Sequence, residues 1–257
     1  MIVTQKLMKL RNYSNFEFDF RLTRKIELLE KERIREKLGI FIPQNVSMVG
    51  YESTNEIKNT GEVAWKRETG LLSIWLLGMF IPSPSVTMII PYNTRARSDY
   101  IVKDDYFGKI PDDRLKIIDG IIYFKGDGKQ RGKIGIPPEK VMPVIGSYDA
   151  DIQMLTLVEC DVSEGVTGYV NSAWELQKLP YRGDAINAYN DGPLEDGTQL
   201  GPFYELESSS PALALEPDST GQHIQSTYHF EGTEADLDVI CQQVFHVSLD
   251  RIKSVFD

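Results

Sequence analysis

The stretch LLSIWLLGMFIPSPSVTMIIPYN, residues 71–93, carries no charged side chain and decides how this chain folds. An apolar stretch of this length could cross a bilayer as a helix. Prolines interrupt it at positions 82, 84 and 91, however, and proline removes a backbone donor and breaks helices. The pattern therefore predicts two buried strands, Leu71–Ile81 and Val86–Ile90, joined by a Pro-Ser-Pro-Ser turn, and no membrane span.

Strand patterns recur on both sides of this stretch. Short apolar runs alternate with clusters of Gly, Pro, Asn and Asp, which is typical of strands joined by turns. Phe16, Phe18 and Phe20 alternate with acidic residues, the period of a half-buried strand. Further strands are predicted over Val46–Asn59, Ile117–Phe124, Ile152–Val158, Tyr169–Trp174, Phe203–Glu207 and Gln225–Phe230.

Helical patterns are few and lie mainly at the end of the chain. Lys31–Leu38 is the one early candidate. Thr233 can cap a helix, with Asp236 at the capping-box position, and a second short helix is expected to begin near Ser248. We therefore expect a single all-β domain over residues 1–257, with a minor helical segment at about 233–257.

Composition excludes several classes of function. The formal net charge is -10 and the isoelectric point about 4.9, which is wrong for a protein that neutralises phosphates, so no nucleic-acid partner is expected. The N-terminus lacks the apolar core and cleavage site of a secretory signal, so a soluble chain of unknown compartment is expected. Cys160 and Cys241 lack metal-site spacing, and two unrelated buried thiols are favoured over one long-range disulfide.

Standard cofactor and metal motifs are missing. Gly126, Gly128 and Gly132 do not make the GxGxxG pattern, and the GxxxxGK[ST], GxSxG and HExxH patterns are absent. The histidines, at positions 223, 229 and 246, are interpreted as core or exposed residues. We therefore predict no cofactor and no metal.

Carboxylates carry the most informative pattern. In the run Phe203-Tyr204-Glu205-Leu206-Glu207, the two-residue period puts Glu205 and Glu207 on one face, with Tyr204 and Leu206 opposite. Same-face residues lie about 6–7 Å apart along a strand, and two close carboxyl groups can split their pKa values to leave a base near neutral pH. The alternative interpretation is a solvated strand face.

Other polar and aromatic residues near this run suggest a site for a small polar ligand. Sugars are held by aromatic faces together with hydrogen bonds from acidic, amide and guanidinium groups. Turn aspartates, in contrast, often bond only their own backbone. The residues predicted to bind substrate are Arg182, Asp184, Asn190, Asp191, Tyr204 and Trp174.

Five segments, spread over residues 12–247, carry a resemblance to a known group of proteins. Val49–Gly61 resembles the long strand and turn of galactose mutarotase-like (aldose 1-epimerase-like) proteins. The other four segments of this chain are similar to an uncharacterised bacterial family that is assigned to the galactose mutarotase-like superfamily. These are Gly70–Ser85, Asp104–Leu115, Gly183–Pro193 and Gly201–Leu213.

The resemblance implies a galactose mutarotase-like β-supersandwich with a concave sheet that binds carbohydrate. Epimerases of this kind use a glutamate general base on a late strand and a mid-chain histidine acid. Leu206-Glu207 followed by Pro211 is similar to the segment that carries the base, so Glu207 is the catalytic candidate and Glu205 the alternate. No histidine precedes position 223, so the usual acid has no counterpart.

The resemblance also implies that the chain is N-terminally shortened, which leaves a periplasmic or secreted location open. Three functional hypotheses follow. The first is a carbohydrate-binding domain, the second a sugar epimerase with Glu207 as base, and the third a structural or interaction domain without a small ligand. As a base, Glu207 should lie at the bottom of a cleft, close to Glu205 and with a raised pKa.

Overall fold

The computed structural model describes residues 1–163, 165–173, 175–194 and 196–257. Thirteen strands, three α-helices and one 3-10 turn, Pro138–Lys140, are formed by these residues. The strands are β1 (Ile2–Arg11), β2 (Glu17–Leu29), β3 (Ser47–Asn59), β4 (Trp75–Phe80), β5 (Val86–Pro91), β6 (Leu115–Ile118), β7 (Ile121–Lys125), β8 (Gly132–Ile136), β9 (Val144–Asp149), β10 (Met154–Cys160), β11 (Ile186–Asn190), β12 (Tyr204–Ser209) and β13 (Thr220–Glu231). The helices are α1 (Lys31–Leu38), α2 (Glu234–Phe245) and α3 (Leu249–Ser254).

The strands form two antiparallel sheets. A nine-stranded sheet has the order β1-β2-β3-β13-β10-β9-β5-β7-β6, and a four-stranded sheet has the order β4-β12-β11-β8. Apolar side chains such as Met88, Ile122 and Leu206 pack between the two sheets. The helices cover the opposite face of the nine-stranded sheet, where Ile240 packs with Tyr228. The prediction of a mostly β chain with minor C-terminal helices is confirmed.

Helix α1 approaches the nine-stranded sheet closely. Ile34 is its buried residue, and it lies against Gly50 of β3 and Tyr228 of β13. A Cβ atom at position 50 would come within 2.7 Å of Ile34 Cδ1, so glycine is what allows this approach. Gly39 ends the helix in the left-handed conformation, at φ 64°.

The C-terminal helices begin where the capping residues predict. The Thr233 hydroxyl accepts a hydrogen bond from the Asp236 backbone N–H and starts α2. In the same way, the Ser248 hydroxyl accepts from the Arg251 N–H and starts α3. The predicted cap at Thr233 and the predicted helix start near Ser248 are both confirmed. Each hydroxyl satisfies a backbone donor that the first helical turn leaves unpaired.

The stretch 71–93 contributes one strand to each sheet. β4 belongs to the four-stranded sheet and β5 to the nine-stranded one. The predicted burial holds for β5 but is wrong for β4, where Leu77 is 43 % and Met79 57 % exposed. β4 is an edge strand, so its outward-facing side chains have neighbours on one side only.

Two other strand predictions differ from the structure. The single strand over Ile117–Phe124 is wrong, because Asp119 and Gly120 both have positive φ and divide it into the hairpin β6–β7. Tyr169–Trp174 was predicted as a strand, yet residues 169–173 form only an isolated bridge between Tyr169 and Arg182. Trp174 lies outside the described residues.

The predictions about cysteines and membrane helices are also tested by the structure. Cys160 and Cys241 are free and buried, as favoured from their spacing. Within the described parts of the chain, each helix is too short or too polar to cross a bilayer.

Candidate functional site

The outer face of the four-stranded sheet, the side turned away from the nine-stranded sheet, carries an unusual set of polar side chains. Glu205 and Glu207 of β12 lie on this face, while Tyr204 and Leu206 pack into the core between the sheets. In the register of the sheet, Glu207 lies opposite Asn187 and Glu205 opposite Tyr189. The predicted face assignment therefore matches the structure. The alternative interpretation, a solvated strand face, is wrong, because both carboxyl groups are buried.

Glu207 is fully buried, with 0 % of its surface exposed. Its Oε2 atom accepts hydrogen bonds from Trp75 Nε1 at 2.8 Å and from Lys133 Nζ at 3.0 Å. Lys133 comes from β8 and is itself 5 % exposed. Burial raises the pKa of Glu207, and the neighbouring Lys133 ammonium opposes that rise. The sequence analysis did not predict this contact between Lys133 and Glu207.

The carboxyl groups of Glu205 and Glu207 lie on the same face of β12, where the charge of one affects the pKa of the other. Burial and the charge of Glu207 raise the pKa of Glu205 to about 8. When both carboxyl groups are ionised, no described residue donates a hydrogen bond to Glu207 Oε1. A protonated Glu205 can donate such a hydrogen bond to Glu207. The Lys133 ammonium, which contacts Glu207, compensates the charge of one of the two carboxyl groups.

A cleft of about 930 Å³ opens beside this face, between the segments 97–106, 137–139, 167–171 and 179–184. Its walls combine tyrosine rings with side chains of both charges. The residues that carry them are Arg67, Arg97, Asp99, Tyr100, Lys103, Asp104, Asp105, Tyr106, Glu139, Tyr181, Arg182 and Asp184. Of the predicted binding residues, Arg182 and Asp184 line it. Arg182 forms an exposed ion pair with Asp99 at 2.8 Å.

Asp184 is the buried carboxyl group of the cleft, 2 % exposed. Its Oδ1 accepts a hydrogen bond from the Tyr100 hydroxyl at 2.8 Å, and its Oδ2 accepts one from the Tyr106 hydroxyl at 2.5 Å. Burial raises the pKa of Asp184, which these two bonds oppose. Gly135 makes room for it, since a Cβ atom there would lie 2.1 Å from Asp184 Oδ2.

Tyr106 lies between the cleft and the carboxyl pair of β12. The Lys103 ammonium lies 4.3 Å from the centre of its ring and the Lys133 ammonium 5.6 Å from it. Glu205 and Glu207 do not line the cleft, whereas Tyr106 does. The predicted position of Glu207 at the bottom of a cleft therefore differs from the structure, in which Lys133 and Tyr106 intervene.

Three other predicted binding residues make internal contacts away from the cleft. Asn190 accepts from the Gly128 N–H and donates to the Gln130 carbonyl, which ties β11 to the loop before β8. Asp191 accepts from the Tyr189 hydroxyl at 2.5 Å. Tyr204 exchanges a hydrogen bond with Ser147 in the core between the sheets. Trp174, the last predicted binding residue, is among the residues not described.

The histidines give no metal site in the described residues. His223 is buried and bonds Ser208 Oγ through Nε2, and its burial lowers its pKa to about 4. His229 bonds Thr156 Oγ1 at 3.0 Å. In the described ranges, no group of three or more His, Cys, Asp or Glu side chains could hold a metal ion.

The site and fold together define a β-sandwich with a polar cleft beside its smaller sheet. The chain matches the family of unknown function DUF6786 over residues 1–256, and it belongs to that family. No curated protein matches the chain.

Three solved structures cover most of the chain at low identity. A protein from Synechocystis sp. PCC 6803 is 13 % identical, with 90 % of this chain and 62 % of that one covered and a TM-score of 0.47. A candidate aldose 1-epimerase from Escherichia coli K12 is 11 % identical, with 88 % and 65 % covered and a TM-score of 0.49. A candidate mutarotase from Salmonella typhimurium is 11 % identical, with 89 % and 65 % covered and a TM-score of 0.40.

This chain spans less than two thirds of the length of each of these three proteins. Each TM-score lies below 0.5, so the similarity carries no information about ligand or chemistry.

Proposed function

We propose that the chain binds carbohydrate in the 930 Å³ cleft. The observation that carries this proposal is the combination of tyrosine rings and hydrogen-bonding side chains around one opening. Tyr100, Tyr106 and Tyr181 offer flat apolar faces, while Arg182 and Asp184 offer charged partners for hydroxyl groups. The volume lies within the range of small-molecule sites, about 300–1,000 Å³. The sequence segments that resemble galactose mutarotase-like proteins, independently of the structural comparison, imply the same ligand class.

A thermal-shift screen with monosaccharides and oligosaccharides tests the proposal, because a ligand that binds only the native state raises its apparent stability. The sensitive variant is Tyr181→Ala, since Arg67 holds the Tyr181 ring from one side at 4.8 Å. We expect it to weaken sugar binding by about tenfold or more, a loss of about 1.4 kcal/mol. Tyr13→Ala is the matched control, since Tyr13 is 89 % exposed and does not line the cleft.

A sugar epimerase with Glu207 as general base is the second candidate. It is favoured by the raised pKa values of Glu207 and Glu205 and by the Lys133 ammonium facing the pair. For Glu207 to reach a sugar from the cleft, the Tyr106 side chain would have to move aside. Glu207→Gln should then remove most turnover, about 10²–10⁴-fold, and leave sugar binding in place.

The third candidate is a structural or interaction domain without a small ligand. The thermal-shift screen with sugars distinguishes it from the first two candidates. A domain of that kind would give no thermal shift with any sugar, and Tyr181→Ala would behave like Tyr13→Ala.

A further inference from the structure

Strand β1 is an open edge of the nine-stranded sheet. Within the described residues it pairs with β2 alone, in an unbroken antiparallel ladder from Ile2 to Arg11. No proline or glycine interrupts residues 2–11. An edge strand of this kind presents a row of backbone N–H and C=O groups that a further strand can join.

The hydrogen-bond pattern shows which backbone groups of β1 face outward. At the end of the hairpin, the Asn12 N–H donates to the Phe16 carbonyl, which continues the ladder of β1 and β2. On the other side of β2, the Thr60 N–H donates to the Asp19 carbonyl. Because bonded pairs alternate along an antiparallel ladder, the even-numbered residues of β1 bond to β2. The residues whose N–H and C=O groups point away from the sheet are therefore Val3, Gln5, Leu7, Lys9 and Arg11.

The side chains of β1 combine exposed apolar groups with positive charge. Val3 is 52 % and Leu7 73 % exposed. The strand contains Lys6, Lys9 and Arg11 and no acidic residue. Lys9 and Arg11 form ion pairs with acidic residues of β2, whereas within the described residues Lys6 forms no ion pair. The edge therefore keeps an uncompensated positive charge.

The hairpin of β1 and β2 is opposite in charge to the rest of the chain. Its cations are Lys6, Lys9, Arg11, Arg21, Arg24 and Lys25, and its acidic residues are Glu17, Asp19 and Glu27. Six cations and three acidic groups give a net charge of +3, whereas the whole chain carries -10. The Nε atom of Arg21, opposite Leu7 in the ladder, is buried without an acceptor among the described residues. A second copy of β1 would bring like charges together, whereas an acidic strand would compensate them.

We propose that β1 is a docking edge for an extended acidic segment of a partner protein, which adds a strand to the nine-stranded sheet. The outward N–H and C=O groups supply the main-chain hydrogen bonds. Since side chains alternate along a strand, the acidic groups of the bound segment lie on the face of Lys6, and its other side chains on the face of Val3 and Leu7. The described lining of the cleft includes no residue of β1, so this role is separate from sugar binding.

The probe is a synthetic fluorescent peptide of the same length as β1 in which glutamate alternates with valine. Its binding to the full chain is measured by fluorescence anisotropy. We expect saturable binding, and at least about tenfold weaker binding of a counterpart peptide with lysine in place of glutamate. Lys6→Glu should weaken binding of the acidic peptide by a similar factor. Lys129→Glu is the matched control, since Lys129 is an exposed lysine between β7 and β8.

Backbone pairing is tested at Gln5. Gln5→Pro removes an outward N–H and keeps every charge of the edge, whereas the control Gln5→Ala keeps that N–H. Proline is tolerated in an edge strand where the N–H faces solvent, so both variants should unfold at the temperature of the wild type. We expect Gln5→Pro to weaken binding of the acidic peptide at least about tenfold, and Gln5→Ala less than about threefold.

Amide exchange of the wild-type chain, measured by NMR, gives a readout that needs no variant. With the acidic peptide bound, the amides of Val3, Gln5, Leu7 and Lys9 should gain protection. The amides of the even-numbered residues, already bonded to β2, should not change. Protection without this alternation, or equal binding to the wild type and Gln5→Pro, would identify contact by charge alone and overturn the proposal.

Two other outcomes also overturn it. Without any binding of the acidic peptide, the cations of β1 serve only to keep other strands away from the edge. A chain that sediments as a dimer, and that Gln5→Pro converts to a monomer, would assign the edge to a second copy of the chain.

Discussion

Replacing Lys133 with methionine tests the electrostatics of the buried carboxyl pair. Lys133 Nζ lies 3.0 Å from Glu207 Oε2, and the side chains of the two residues are 6 % and 0 % exposed. Methionine keeps most of the volume of the lysine stem and removes the charge. Glu207 then faces Glu205 in the protein interior without a counter-charge.

The expected cost follows from this burial. Removing one partner of a buried ion pair typically costs about 3–5 kcal/mol, because the remaining charge stays desolvated. The folded variant can escape part of that cost by binding a proton at Glu207. In the unfolded chain, Glu207 binds that proton only near the ordinary pKa of a glutamate, about 4.3. The loss in the free energy of unfolding should therefore be largest near pH 8, and smaller by at least about 1 kcal/mol near pH 5.

Urea denaturation at both pH values measures these free energies of unfolding. The double variant Lys133→Met, Glu207→Gln should recover at least about 2 kcal/mol relative to Lys133→Met alone, since it replaces the carboxylate that Lys133 contacts with a neutral amide. Arg182→Met is the control, because its pair with Asp99 is exposed and should contribute less than about 1 kcal/mol. A loss below about 1 kcal/mol for Lys133→Met at pH 8, or an equal loss at both pH values, would refute the reasoning.

Three further outcomes are expected. Burial raises the pKa of Glu205 to about 8 and also raises that of Asp184. The stability that each group contributes is complete below the unfolded carboxyl pKa and is lost as pH rises through its own raised pKa, which for Glu205 is about 8. The thermal midpoint of unfolding should therefore decrease as the pH rises from about 5 to about 9, and it should decrease less steeply in Glu205→Gln. Asn190→Ala should lower the free energy of unfolding by about 2–4 kcal/mol in urea, without changing sugar-induced shifts, because it leaves the Gly128 N–H unpaired. Thr233→Ala should cost about 1 kcal/mol by urea denaturation, and Thr233→Ser should restore most of it.

Local chemistry made several elements predictable from the sequence. Helix α1 was expected over Lys31–Leu38 and has those bounds, and the caps at Thr233 and Ser248 begin α2 and α3. The shared face of Glu205 and Glu207 was also correct, because the two-residue period of a strand depends on nothing outside it. The hairpin at Asp119 was missed because its apolar flanks concealed a two-residue turn.

The candidate site was less predictable, since its contacts join distant parts of the chain. Lys133 and Glu207 are 74 residues apart, and Tyr106 and Asp184 are 78 apart. A single lysine inside the apolar run of β8 was the available indication of a buried cation. Asn190 and Asp191 looked like ligand-binding residues because of their type, but they are used to hold the loops around β8 and β11.

The assignment of β4 and β5 to different sheets has a consequence for synthesis of the chain on the ribosome. β5 pairs with β7, which begins about 35 residues later in the chain. In the described residues β4 pairs with β12, which ends at Ser209. Until that residue has emerged from the exit tunnel, Leu77 and Met79 belong to an unpaired strand that other chains can join. The sheet that carries Lys133 and Glu207 is therefore completed late, and a nascent chain stalled before Tyr204 would be prone to aggregate through β4.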